Sequence, residues 1–145
     1  MSDVTFSKKS VSATAALAGI DAAVKKAEEL GMPFVIVVVD DAGLVKASLR
    51  MDGAPLVSLQ VAEDKAYTAA GFGLATNDWF DFLSGDEPLK LGAPNGIKRL
   101  VPFGGGYPLK IDGALVGGIG VSGGHWSHDM EVAKAGLSAI TGEEV

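Results

Sequence analysis

Hydrophobic positions along the chain change their spacing several times, and each change marks an element. Leu17, Ile20, Val24, Ala27 and Leu30 recur at helical intervals. With Ser10 as a cap and Gly31 as a left-handed stop, they predict a helix over 10–30. Phe34-Val35-Ile36-Val37-Val38-Val39 is an unbroken, mostly β-branched run, the pattern of a central strand covered on both faces. Asp40-Asp41-Ala42-Gly43 then forms a tight turn into a second strand over 44–50, giving an antiparallel hairpin.

Pro55 suits the first turn of a second helix that stops at Gly71 or Gly73. Thr76 or Asn77 caps a short helix over 79–83, and 84–94 reads as irregular. Segments 107–111 and 114–121 flank Asp112-Gly113, the strongest hairpin signal in the chain. A last helix starts near Ser127, with Asp129 and Glu131 in its first turn and Val132, Ala133, Leu137 and Ile140 on its packing face. Hairpins dominate and no βαβ rhythm is present, so the expected class is α+β, an antiparallel sheet with helices on its faces. No Pro/Ser linker, charge run or repeat interrupts the chain, which is read as one domain over 1–145.

Composition narrows the functions. A hydrophobic share of 48% excludes disorder, and a net charge of −6 argues against nucleic acid or an anionic membrane as partner. Without cysteine there is no disulfide, thiolate nucleophile or Cys-held metal. The stretch 1–10 is polar, and no apolar run reaches the roughly 20 residues of a membrane span, so the expected location is cytoplasmic. Glycine is abundant, and 14 of the 20 lie between Gly71 and Gly124. The alternation over 117–124 implies a strand with something packed close against it, either a helix or a second subunit.

Several constellations can carry chemistry. Gly104-Gly105-Gly106 lacks the Lys-Ser/Thr of a phosphate loop, and reads as a sheet-corner bend or a close approach to a planar ligand. Ser122 does not sit in a nucleophile elbow. His125-Trp126-Ser127-His128-Asp129 holds both histidines on a loop feeding a helix. His125 and His128 are candidates for acid/base work or iron ligation, and with Asp129 for a two-His, one-carboxylate metal site. Arg50 at a strand end and Lys65 on the next helix are candidate clamps for a carboxylate, with salt bridging to nearby aspartates as the alternative. Trp79, Phe80 and Phe82 cannot all face one side of a helix, so at least one is expected at a partner subunit.

The chain resembles the haem-binding GlcG/HbpS family, related to the C-terminal domain of PduO-type proteins. The matching blocks are Val39-Asp40-Asp41-x-Gly43, Arg50-Met51-Asp52-Gly53-Ala54, Glu63-x-Lys65-Ala66-x-Thr68-Ala69, Gly104-Gly105-Gly106-x-Pro108, Gly117-x-Ile119-Gly120-Val121-Ser122-Gly123 and Asp129-x-x-Val132-Ala133-x-Ala135-Gly136. They occur in order over nearly the whole chain. The resemblance implies a profilin-like antiparallel sheet flanked by helices, assembly into homo-oligomers, and haem binding, sensing, storage or degradation. The histidines of 125–128 depart from the family's usual short polar residues there. On this resemblance the leading expectation is a flat, carboxylated ligand, with haem first. Its candidate donors are His125, His128, Met51 and Tyr107, and its candidate clamps Arg50, Lys65 and Arg99. The alternative is a hydrolase or isomerase of a small unsaturated or aromatic-derived acid, with Arg50 or Lys65 on the carboxylate and His125 or His128 moving a proton. A third is an accessory subunit without ligand.

Overall fold

The structure is a computed structural model that describes residues 3–144. Met1, Ser2 and Val145, the outermost positions of the 1–145 reading and of the polar first stretch, lie outside the described residues. The elements are α1 (Ala13–Leu30), β1 (Val35–Asp40), β2 (Val45–Arg50), α2 (Ser58–Phe72), α3 (Thr76–Ser84), α4 (Glu87–Gly96), β3 (Gly106–Ile111), β4 (Ala114–Ser122) and α5 (Trp126–Thr141). The strands form one sheet in the order β2-β1-β4-β3, and every neighbouring pair is antiparallel. The class is α+β.

Each expected hairpin forms. Asp112 and Gly113 both take positive φ, 51° and 78°, which suits the right-handed twist of β3 and β4. β1 is central and buried along its length, as its unbroken apolar run requires. One face of the sheet packs on α1 and α5 through Ile36, Val38, Leu109, Ile119, Val121, Ile20 and Val132. The other face, with Val35, Val37 and Val39, meets the small residues Ala62, Ala66 and Ala70 of α2. What lies against Gly118 and Gly120 of β4 is therefore α2, while Gly117 abuts the Val39 carbonyl of β1. A Cβ at Gly120 would collide with the Ala62 carbonyl oxygen, and one at Gly118 with that of Ala66. Missing side chains on the strand and alanines on the helix let two backbones touch.

Three expectations need correction. The cap of α1 is Ser12, whose hydroxyl accepts from Ala15 N, and not Ser10. More substantially, 84–94 is not irregular, since α4 spans most of it. Asp86 caps α4 by accepting from Leu89 N, and Pro88 falls in the first turn, where a missing N–H costs nothing. Leu89, Ala93 and Ile97, spaced by four, then pack on Trp79 and Leu83 of α3. The short helix expected over 79–83 is longer and begins at Thr76 itself.

Candidate functional site

α2 carries a lysine on its buried, alanine-rich face. Lys65 is fully buried, and its Nζ donates to Asp129 Oδ2 at 2.7 Å and to the Val121 carbonyl at 2.9 Å. The other carboxylate oxygen, Asp129 Oδ1, accepts from Gly124 N at 3.1 Å and ties the end of β4 to the first turn of α5. Burial pushes the Lys65 ammonium below its ordinary range against the pull of Asp129. Burial likewise pushes the Asp129 carboxyl up, against the opposing pull of Lys65 and the Gly124 N–H.

The Gly104-Gly105-Gly106 segment roofs this ion pair. Gly105 has φ +125°, and a Cβ there would stand 2.7 Å from Lys65 Nζ. Gly106 N donates to Thr76 Oγ1 at 2.9 Å, and Val121 N donates to Gly105 O at 2.9 Å, so both ends of the roof are pinned. The Phe103 ring lies over the ammonium with its centroid 5.1 Å from Nζ.

Outside the roof lies an open cleft of ≈ 310 Å³, lined by Asn77, Phe80, Asp81, Phe103, Gly104, Trp126 and Met130. Its walls come from α3, the roof and the start of α5. Phe80, Phe103 and Trp126 are 60%, 45% and 48% exposed, a set of large apolar side chains that the chain leaves unburied on one surface. Asn77 Oδ1 is buried without a partner, and no Lys or Arg is among the lining residues.

The sequence candidates separate. His125 caps α5, with Nδ1 accepting from Ser127 N at 3.3 Å and lying 2.8 Å from Ser127 Oγ. Its ring centroid is 4.9 Å from that of Trp126, which places it beside the cleft. His128 is half-buried, and its Nδ1 is buried without a partner. The two histidines and Asp129 do not form a metal set, and among the described residues no three such side chains do. The physical reason is that both Asp129 oxygens are committed, one to Lys65 and one to Gly124 N.

Lys65 and Arg50 do not make a joint clamp either, because the Lys65 ammonium already holds Asp129 in the core while Arg50 is exposed at the end of β2. Arg50 is nonetheless at the same end of the sheet as the site, since Val35 pairs with both Arg50 and Ser122. Met51 packs at the edge of the α1/α5 core, and Phe34 N points to its sulfur at 3.5 Å. Arg99 is neutralised by Asp64 at 2.7 Å and Glu63 at 3.0 Å, and stacks 3.8 Å from the Tyr67 ring centre. Tyr107 lines a different cleft, beside the C-terminal end of α5. Phe103, Asn77, Asp81 and Met130 were not among the sequence candidates. Phe103 directly before the triple glycine was the available signal.

Fold and site together define an α+β domain with an open apolar cleft above a buried Lys–Asp pair. Residues 11–138 match the HbpS-like family, described as haem degrading protein HbpS-like, and the chain belongs to that family. It is 39% identical over 120 residues to the corrinoid adenosyltransferase PduO of Salmonella typhimurium, a match covering 82% of this chain and 35% of that protein. The chain thus spans about a third of that relative's length. The crystal structure of a PduOC–haem complex is similar, with TM-score 0.82 and 36% identity over 90% of this chain and 95% of that one. So is a double mutant of Streptomyces reticuli HbpS, with TM-score 0.85 and 29% identity over 97% and 93% of the two chains.

Proposed function

We propose that this chain binds haem, or a flat ligand of the same kind, with one edge in the cleft between α3, the glycine roof and α5. The observation that carries the reading is the exposed set Phe80, Phe103 and Trp126, with half-buried Met130, around one opening. Its similarity to a protein whose structure is a haem complex supports it. The residues fit the group. Aromatic walls suit a porphyrin face, and two donors are at hand: the Met130 thioether among the lining residues and the His125 imidazole against Trp126. With no lysine or arginine in the lining, the cleft itself would offer the propionates no cation. Bound haem would supply iron chemistry, while this chain's own residues would bind it, exclude water from one edge and offer a donor atom from Met130 or His125.

A cleft of ≈ 310 Å³ encloses only part of a porphyrin, which favours a second copy of the chain over the remainder. Phe82, exposed elsewhere on α3 and stacked edge-on against Trp79, fits a further contact between copies. Among the described residues no helix is long and apolar enough to cross a membrane. The rival reading, a small-acid hydrolase or isomerase, would rest its carboxylate on Arg50 alone, because Lys65 is already paired with Asp129 in the core.

Haemin titration followed by absorbance tests the proposal. A saturable Soret shift, altered in His125→Ala or Met130→Ala, is the expected result. A shift that never saturates, or one unchanged in both variants and in Phe103→Ala, would overturn it.

A further inference from the structure

The aromatic cleft carries one formal charge. Among its lining residues the only acidic or basic side chain is that of Asp81. Phe80 and Asp81 stand three and four positions after Asn77, so one face of α3 forms that wall. Asp81 is exposed, and among the described residues it makes no salt bridge. Nothing nearby offsets it. Lys65 Nζ lies sealed under Gly105 and is committed to Asp129. α3 itself holds no basic residue, and its other charge is Asp78, to whose Oδ1 the Asn77 amide donates at 3.3 Å.

The remaining walls do not read charge. Phe80, Phe103 and Trp126 accept the flat face of a ring whatever its substituents. The Asp81 carboxylate is therefore the one lining group that separates ligands by the sign of their rim. Two carboxylates a few ångströms apart with water between them change affinity by about threefold, and added salt screens the effect.

We propose that Asp81 sets the charge specificity of this cleft, admitting a planar ligand by an uncharged edge and discriminating against carboxylates there. This rests on the aromatic cleft being the ligand site, and it narrows the ligand class to flat molecules whose inserted rim is neutral. For haem, the edge without propionates enters, and the propionates contribute nothing favourable to affinity.

The test compares haemin with haemin dimethyl ester, which keeps the iron and the ring and loses both carboxylates. Each is titrated into the full chain at low ionic strength and followed in the Soret band. The ester is expected to bind at least as tightly as haemin. Asp81→Asn is expected to tighten haemin about threefold and leave the ester unchanged, and Asp81→Lys to tighten haemin further. At about 1 M salt, where the Debye length falls to about 3 Å, these differences should vanish. Asp112→Asn removes the same charge at the far end of the β3–β4 hairpin, at a positive φ that asparagine accepts, and should change neither affinity. Haemin binding more tightly than its ester, an unchanged haemin affinity in both Asp81 variants, or an equal gain in Asp112→Asn would each overturn the proposal. Saturable binding of neither porphyrin would overturn the haem reading, and this one with it.

Discussion

Lys65 Nζ lies 2.7 Å from Asp129 Oδ2, with side-chain exposures of 0% and 3%, where α2, the end of β4 and the start of α5 converge. The pair touches two walls of the aromatic cleft, the roof and the start of α5. Phe103 and Gly105 rest on the lysine, and Asp129 holds Gly124 N just before His125 and Trp126. Desolvating two ions is expensive, and removing one leaves the other buried and unpaired. Lys65→Met or Asp129→Asn alone is therefore expected to cost about 3–5 kcal/mol in urea unfolding. Lys65→Met combined with Asp129→Leu should recover much of that loss. A double variant as unstable as the sum of the singles would contradict this account of the pair.

The contact between β4 and α2 predicts opposite outcomes for two glycines. Gly120→Ala drives a methyl into the Ala62 carbonyl and the Ala66 N, which are backbone atoms and cannot swing aside. It should cost about 3 kcal/mol or prevent folding. Gly71 lies within α2, has no positive φ, and faces open space where a methyl would stand, so Gly71→Ala should stabilise by about 0.5–1 kcal/mol. Thermal melts of the two variants decide it.

Alkaline titration reads Tyr107. Burial raises its pKa from 10.0 to about 12, so between those values the unfolded chain ionises first. The stabilisation from the protonated phenol is complete below pH 10 and lost as pH rises to about 12, by a few kcal/mol at most, on the order of 1.4 kcal/mol per pH unit. Lys65 acts with the opposite sign, since a lowered pKa makes its contribution grow as pH rises toward the ordinary 10.5. Tyr107→Phe should remove the Tyr107 decline and, by deleting an unpaired hydroxyl, leave the chain at neutral pH as stable as before or more so. Urea midpoints at pH 9 and 11 for both proteins measure it.

How far the sequence specified the structure follows from the range of the interactions. Asp112-Gly113, the Gly31 stop and the run 34–39 are local signals, and each produced the expected element. α4 was hidden because Pro88, Gly92, Pro94 and Gly96 read as helix breakers, while its Leu89–Ala93–Ile97 spacing matters only once α3 lies beside it. Lys65 and Asp129 are 64 positions apart, and nothing in their neighbours names the pairing. A lysine among the alanines 62, 66, 69 and 70 was the trace of it, because a helix face so small has to lie against something close. The aromatic cleft draws Phe80, Phe103 and Trp126 from three separated segments, so only the fold assembles it.

The most direct test of the central claim is the iron anomalous signal from crystals of the haemin-loaded chain. A peak at the aromatic cleft, beside Met130 or His125 and against the Phe103 and Trp126 rings, is the predicted result. A peak in the Tyr107 cleft, or at the exposed face of β2 near Arg50, would contradict it.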